Sequence, residues 1–420
     1  MSCAPRADFP ILSREVRDGV PLVYLDSAAT SQKPQVVMDA VMHQELYSNG
    51  AVNRGSHQLA AESTIAVDNA REKVARFVGV KPDEIVWTKN STEGLNLLAN
   101  VISRISAGEG SAKIRERLGL GPGDNVVITR AEHHANLVPW QDLCRRTGAE
   151  LRWLDVDSEG RIDLTTADVI DSRTRIVSFT HVSNVTGALS PVAQIVDLAR
   201  AVDAFIVLDA CQSVPHIPVD FKALNVDAAV FSGHKMLGPT GIGVLYVRSD
   251  VLRELPPFLT GGSMVVLVTM EKTTFAPPPA RFEAGTQPVA QIVGLGAAAD
   301  YLTDIGMDKV AQHEAELTAY ALEKLSDVPG VRILGPRDAA ERVGVLAFDV
   351  EGVHPHDVGQ VLDARGIAIR VGHHCAQPIH QHFGVFASSR ASFGPYNTTG
   401  DVDAFIEALA QVRPFFGLAG

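Results

Sequence analysis

Between residues 126 and 231 the chain alternates short apolar runs with helical stretches, a rhythm that few folds accommodate. Residues 126–129, 151–156, 175–180, 205–208 and 228–231 are strand-length apolar runs bounded by polar residues. Residues 137–146 carry a helical pattern, and Ser190-Pro191 offers an N-cap and first-turn proline to a second helix running to about residue 202. Such a βα succession implies an α/β fold, with a mostly parallel sheet covered by helices on both faces. Ligands of such sheets bind at the carboxyl ends of the strands.

From residue 292 the pattern changes. A long helical stretch over 292–325 leads to the apolar run 345–348, a helix over 356–365 and an extended segment over 367–371. The expected division is a large domain over residues 24–291 and a smaller α+β domain made from 1–23 and 292–420. Pro256-Pro257 with Gly261-Gly262, and Pro277-Pro278-Pro279, punctuate the boundary region. The glycine- and charge-rich stretch 106–123 is expected to be a mobile surface insertion. No internal repeat or low-complexity tract is present.

Composition narrows the function classes. The chain has 420 residues, 46% of them hydrophobic, and a net charge of -12, which argues against nucleic acid as a partner. The amino terminus lacks an apolar core of signal-peptide length, and no apolar run is long enough to span a bilayer, so no membrane partner is expected. Cys3, Cys144, Cys211 and Cys375 show no framework spacing and fit free thiols of a reducing compartment, with the cytoplasm as the expected location.

The residues that could carry chemistry sit at strand and helix ends. Lys235, in Ser232-Gly233-His234-Lys235, follows the buried run 228–231. A lysine there either snorkels to solvent or has its amine used, and a Schiff base to the aldehyde of pyridoxal phosphate is the use that fits. Asn90 and Glu93 have capping-box spacing ahead of the stripe Leu95, Leu98, Ala99 and Ile102. A helix starting there is either an ordinary capped helix or a phosphate site, with Ser91 and Thr92 adding hydroxyls. Asp209 ends another strand, where it either caps a turn or faces a pyridine nitrogen, and Gln212 lies within reach of a ring hydroxyl. His133 and His134 follow the strand at 126–129, as loop histidines or as an imidazole stacked on a cofactor ring.

A second centre lies in Arg370-Val371-Gly372-His373-His374-Cys375-Ala376-Gln377-Pro378. A thiol beside two histidines and near an arginine is set up as a nucleophile. A metal site from His373, His374 and Cys375 is disfavoured, because adjacent residues of an extended chain point apart and no second ligand pair is evident. Arg390 could clamp a substrate carboxylate or make a structural ion pair.

Taken together these motifs resemble the cysteine desulfurases of the SufS type, in the class V aminotransferase group of fold-type I enzymes that use pyridoxal phosphate. The resemblance runs from Leu25-Asp26-Ser27-Ala28-Ala29-Thr30 through Thr88-Lys89-Asn90-Ser91-Thr92-Glu93, Glu132-His133-His134-Ala135-Asn136 and His181 to Gly187. It continues through Asp209-Ala210-Cys211-Gln212-Ser213, Ser232 to Lys235, Arg370 to Pro378 and Arg390-Ala391-Ser392-Phe393.

The resemblance implies that Lys235 binds the cofactor and moves protons at the substrate α-carbon. It implies that Asp209, Gln212 and His133 hold the ring, and that Thr92, Glu93, Ser232 and His234 lie at the phosphate end. Thr286 would reach the phosphate of the neighbouring subunit of a homodimer. Asn184, Arg370 and Arg390 would bind L-cysteine, and Cys375 would take its sulfur as a persulfide, leaving L-alanine. A SufE- or SufU-type acceptor would carry that sulfur to iron–sulfur cluster assembly. A selenocysteine lyase, another class V aminotransferase and a non-catalytic assembly scaffold are the alternatives. Three positions depart from the family pattern: Asn53 stands where histidine is usual, Gln287 where proline is usual, and Gly394-Pro395 replace a more aromatic or aliphatic pair.

Overall fold

The computed structural model describes residues 2–17, 19–53 and 55–418. Its centre is a seven-stranded sheet. In chain order the strands are β1 (Ile85–Thr88), β2 (Asn125–Thr129), β3 (Glu150–Leu154), β4 (Thr174–Thr180), β5 (Phe205–Asp209), β6 (Ala228–Ser232) and β7 (Gly243–Val247). Across the sheet they run β1-β7-β6-β5-β4-β2-β3. Only β7 is antiparallel to its neighbours; the others share one direction. The carboxyl ends of β1, β2, β4, β5 and β6 therefore open on the same edge.

Successive residues of the inner strands feed two cores, which is why those strands are mostly apolar, whereas edge strand β3 keeps Glu150 and Trp153 exposed. Val127, Phe179, Ile206, Leu208 and Phe231 face α1 (Gln35–Tyr47), α2 (Gln58–Phe77), α6 (Val192–Ala201) and α7 (Val289–Ile305). Val126, Ile128, Ile176, Val207 and Val230 face α3 (Ser91–Ser106), α4 (Ala112–Leu118) and α5 (Val138–Thr147). The stretch 106–123 is thus not a loose insertion. It contains α4, whose Ile114 and Leu118 are four residues apart and bury one turn against the second core.

The helical stretch expected over 292–325 is two helices, α7 and α8 (Met307–Ser326), separated by Gly306 at φ 90°. Ile292, Leu295, Ala298 and Leu302 of α7 pack under the large sheet, so the expected boundary at 291/292 falls inside a helix of the large core. The amino-terminal arm also joins that core through Ala4, Phe9 and Leu12, with the Phe9 ring 4.8 Å from that of Tyr396. Helix α6 begins at Val192, one residue later than the proline pattern suggested, because Ser190 donates its hydroxyl to the Thr180 carbonyl.

The smaller sheet is antiparallel and four-stranded: β8 (Val331–Ile333), β9 (Val345–Val350), β10 (Arg370–Gly372) and β11 (Ser388–Ser392), in the order β8-β9-β11-β10. Helices α8, α9 (Pro355–Asp363) and α11 (Thr399–Leu409) cover it, while α10 (Gln377–His382) follows Cys375. Val23–Tyr24 pairs in parallel with Ile367–Ala368, and Asp26 bridges Ser392. These two pairings bring β10 and β11 to the open edge of the large sheet.

Candidate active site

Strand β6 ends at Ser232 and turns through one 3-10 turn, Gly233–Lys235. That turn is clamped from the amino-terminal segment. The His234 carbonyl accepts from Ser31 N at 2.9 Å and from Thr30 Oγ1 at 3.1 Å, and Ser31 Oγ accepts from Leu237 N at 2.8 Å. Lys235 lines a small cavity with Ser91, His133, Thr180, Asn184, Asp209 and Gln212. Its amine makes no hydrogen bond or ion pair among the described residues. A half-buried lysine turned into a polar cavity is not the snorkelling case.

At one end of this cavity α3 begins. Asn90 Oδ1 accepts from Glu93 N at 3.0 Å, while Ser91 N donates to Ser232 Oγ at 3.0 Å and Ser232 Oγ lies 3.1 Å from Ser91 Oγ. No acceptor among the described residues takes the Thr92 amide. The free amide, three hydroxyls and the helix dipole form an anion cup. The capping box is only half formed: the Glu93 carboxylate turns back to Lys89 N at 2.5 Å instead of reaching Asn90. Glu93 and the exposed Thr286 instead line a second cleft, away from Lys235 of the same chain. Burial and the nearby Lys235 push His234 down to about 4, so it is neutral.

At the other end, Asp209 is buried, and burial raises its pKa although Lys235 opposes the rise. Its Oδ1 accepts from Cys211 N at 3.0 Å, so the turn-capping role is real and leaves the second oxygen for a ligand. Gln212 Nε2 donates to the Ala28 carbonyl at 2.8 Å, and its Oε1 is buried without a partner. His133 Nδ1 accepts from Ala135 N at 3.0 Å, which puts the ring proton on Nε2. Burial, then Lys235, lowers its pKa to about 3.

The smaller sheet supplies the third wall. Arg390, 2% exposed, donates Nη1 to the Asn184 carbonyl at 2.8 Å and lies 3.4 Å from Asp26 Oδ1, with its Nε unpartnered. Arg370 lies 3.8 Å from the other oxygen of Asp26. Asn184 Nδ2 donates to the His374 carbonyl at 2.6 Å and leaves Oδ1 bare. Cys375 is exposed and borders a larger cleft with Thr92, His133 and His134.

Sequence reasoning quoted Asp26, Thr30 and Glu132 only within motifs, gave them no role, and passed over Ser31. The Glu132 carboxylate, fully buried, accepts from Thr129 Oγ1 at 2.6 Å, Thr180 N at 2.9 Å and Asn136 Nδ2 at 2.6 Å. It ties the ends of β2 and β4 directly behind His133. A glutamate beside a histidine pair was the available signal, but its partners are fixed only by the fold. At the departures, Asn53 sits at φ 72°, Gln287 Nε2 donates to the Glu283 carbonyl at 2.9 Å, and the Pro395 carbonyl receives Ala4 N at 3.0 Å. Arg54 lies outside the described residues. Among the described residues no group of three His, Cys, Asp or Glu side chains is arranged to hold a metal.

The aminotransferase class-V family matches residues 23–405. The chain belongs to that family. It is 54% identical over 414 residues to a probable cysteine desulfurase 2 of Mycobacterium leprae, covering 99% of this chain and 97% of the relative. Among solved structures it is similar to a cysteine desulfurase from Thermococcus onnurineus, with a TM-score of 0.89 at 36% identity over 97% of this chain and 96% of that one. A cysteine desulfurase from Escherichia coli superposes with a TM-score of 0.85 at 37% identity, covering 99% and 98% of the two chains.

The orphaned polar atoms test whether this class V site suits an organic phosphate cofactor. Gln212 Oε1, Asn184 Oδ1, His181 Nδ1 and Arg390 Nε are buried without partners. Asn184 and Gln212 line the Lys235 cavity itself. Unpaired buried polar atoms are costly, and here they lie near a free amine, a carboxylate and an anion cup. The residues fit pyridoxal phosphate.

Proposed function

We propose that the chain is a pyridoxal-phosphate-dependent cysteine desulfurase of the SufS type, converting L-cysteine to L-alanine with a persulfide left on Cys375. The observation that carries this reading is the position of His133. It lines the cavity of Lys235 on one side and the cleft of Cys375 on the other, so amine and thiol serve one reaction space. An aminotransferase has no use for that thiol.

Bound pyridoxal phosphate supplies the electron sink for bond changes at the substrate α- and β-carbons. Thr92, Ser232, His234 and the start of α3 would hold its phosphate, Asp209 would keep the ring nitrogen protonated, and Gln212 would offer Oε1 to the ring hydroxyl. The Lys235 amine takes and returns the proton at the substrate α-carbon. Neutral His133 would face the ring and could exchange a proton through Nε2. Arg390 presents Nε to the substrate carboxylate, helped by Asn184 and Arg370. The Cys375 thiolate attacks the substrate sulfur, and an S–S bond forms as the Cβ–S bond breaks. The bonding pair stays with the carbon skeleton, which is protonated and leaves as alanine, so no outside oxidant or reductant is needed.

The working unit is a homodimer in which Thr286 completes the phosphate site of the neighbouring subunit. Exposed Val36, Met42, Leu46 and Tyr47 on α1 support an apolar contact of that kind. A SufE- or SufU-type acceptor takes the sulfur toward iron–sulfur cluster assembly. The expected location is the cytoplasm; no helix among the described residues is long and apolar enough to cross a membrane.

The test is incubation with L-cysteine, counting alanine and protein-bound persulfide in wild type and Cys375→Ser. Both products should vanish in the variant while the cofactor absorbance persists. Alanine formation that survives in Cys375→Ser would reject the mechanism.

A further inference from the structure

Cys375 and the residue before it, His374, adopt φ of 54° and 50°, two consecutive non-glycine residues in the left-handed region. Such a pair persists only where neighbours over-determine it. Four hydrogen bonds do so. Asn184 Nδ2 holds the His374 carbonyl at 2.6 Å, and Ala376 N closes on the His373 carbonyl at 2.9 Å. The other two come from one residue, His134. Its backbone N–H donates to the Cys375 carbonyl at 2.6 Å, and its Nε2 accepts from Gln377 N at 3.1 Å.

Those bonds grip the loop at the cysteine and two residues beyond it. Gln377 opens α10, so its amide has no acceptor within the helix and the His134 imidazole acts as the cap. An imidazole nitrogen that accepts carries no proton, which requires His134 to be neutral with its proton on Nδ1. Burial and the nearby His373 lower its pKa in that sense. His134 also directly follows His133, so the same short turn that sets the ring-facing imidazole sets the thiol loop.

We propose that His134 is the positioning residue for Cys375, its imidazole holding the thiol loop in register with the cavity that His133 lines. It does not line the Lys235 cavity, and on this proposal it acts through the loop. The inference rests on Cys375 being the nucleophile.

Holoenzyme carrying His134→Ala or His134→Gln separates the alternatives when assayed with two substrates. L-Cysteine needs thiol attack on its sulfur, whereas β-chloro-L-alanine expels chloride without any thiol. In His134→Ala, kcat for L-cysteine should fall about 10- to 100-fold, the range a misplaced reacting atom costs. KM, chloride elimination and cofactor absorbance should stay within about twofold of wild type. In His134→Gln the side-chain oxygen can accept from Gln377 N, and kcat should recover to within about threefold. Equal losses with both substrates, an unaffected cysteine rate in His134→Ala, or glutamine no better than alanine would each overturn the proposal. Cys375→Ser run in parallel isolates the premise. If it still forms alanine, the nucleophile reading falls and takes this inference with it. If it is dead while His134→Ala is normal, only the inference falls.

Discussion

Arg71 and Glu283 form a bidentate ion pair at 2.8 and 2.9 Å, and the same carboxylate accepts the Trp87 amide at 2.9 Å. The Arg71 guanidinium also lies 5.0 Å over the Trp87 ring. One buried carboxylate thereby ties α2, β1 and the connector that carries Thr286. Glu283→Gln keeps the shape and strands the cation, a loss of about 3–5 kcal/mol for a buried pair broken on one side. Urea denaturation of the apo protein should show that loss. A change below about 0.5 kcal/mol, the scale of an ordinary surface substitution, would mean that solvent reaches the pair.

Two buried histidines should each make acid destabilising to the apo protein over a defined window. Burial lowers His181 to about 4, and burial with Arg390 nearby lowers His374 to about 2, from an ordinary 6.5. Both pKa values are depressed in the folded state, so their contribution is complete above pH 6.5 and drains away as pH falls toward those values. Each adds a slope approaching about 1.4 kcal/mol per pH unit within its window. Between pH 6.5 and 4, His181→Gln should remove the His181 part of this acid-destabilising slope from the urea midpoints, while buried Glu132, raised to about 8, acts in the opposite sense in both proteins. An unchanged slope in that variant would remove His181 from the account.

Arg390→Lys replaces a planar fork by a point charge and loses the unpartnered Nε donor proposed to meet the substrate carboxylate. KM for L-cysteine should rise about tenfold or more, with kcat within a few-fold, because the group binds rather than reacts. Steady-state kinetics decides this. An equal fall in kcat would show that Arg390 acts in the bond-breaking step.

Gly243→Ala would put a Cβ 2.5–2.9 Å from the Asn90 backbone. The start of α3 cannot yield without disturbing the phosphate cup. Cofactor affinity should drop at least tenfold and stability by about 1–3 kcal/mol, as overpacking does. Cofactor titration and a thermal melt would measure both. A variant that binds as wild type would show that the cup tolerates displacement of α3.

The large sheet was legible because strands buried on both faces leave unbroken apolar runs, and strand-end polar residues mark the ligand edge. Lys235, Asp209, Gln212 and His133 were visible for the same reason. Helix α4 was hidden because Ile114 and Leu118 stand among charged residues in a glycine-rich stretch. The packing of Ala4 and Phe9 into the main core, and the seating of His134 and Asn184 on the cysteine loop, depend on chain segments remote in sequence. No local periodicity encodes such partners. Thr286 was legible as a motif, and on this chain it is exposed in a cleft separate from Lys235.

The close approach of Gly243 to Asn90 joins the strand after the lysine turn to the helix whose start forms the anion cup. These two segments meet only because β7 lies between β1 and β6. A partly assembled chain therefore has no binding pocket of lower affinity; it has none. Ligand that binds only the finished form stabilises the whole fold rather than one corner of it. The ratio of bound cofactor to polypeptide in a purified batch consequently sets a lower bound on correctly assembled molecules, since folded apo protein carries none.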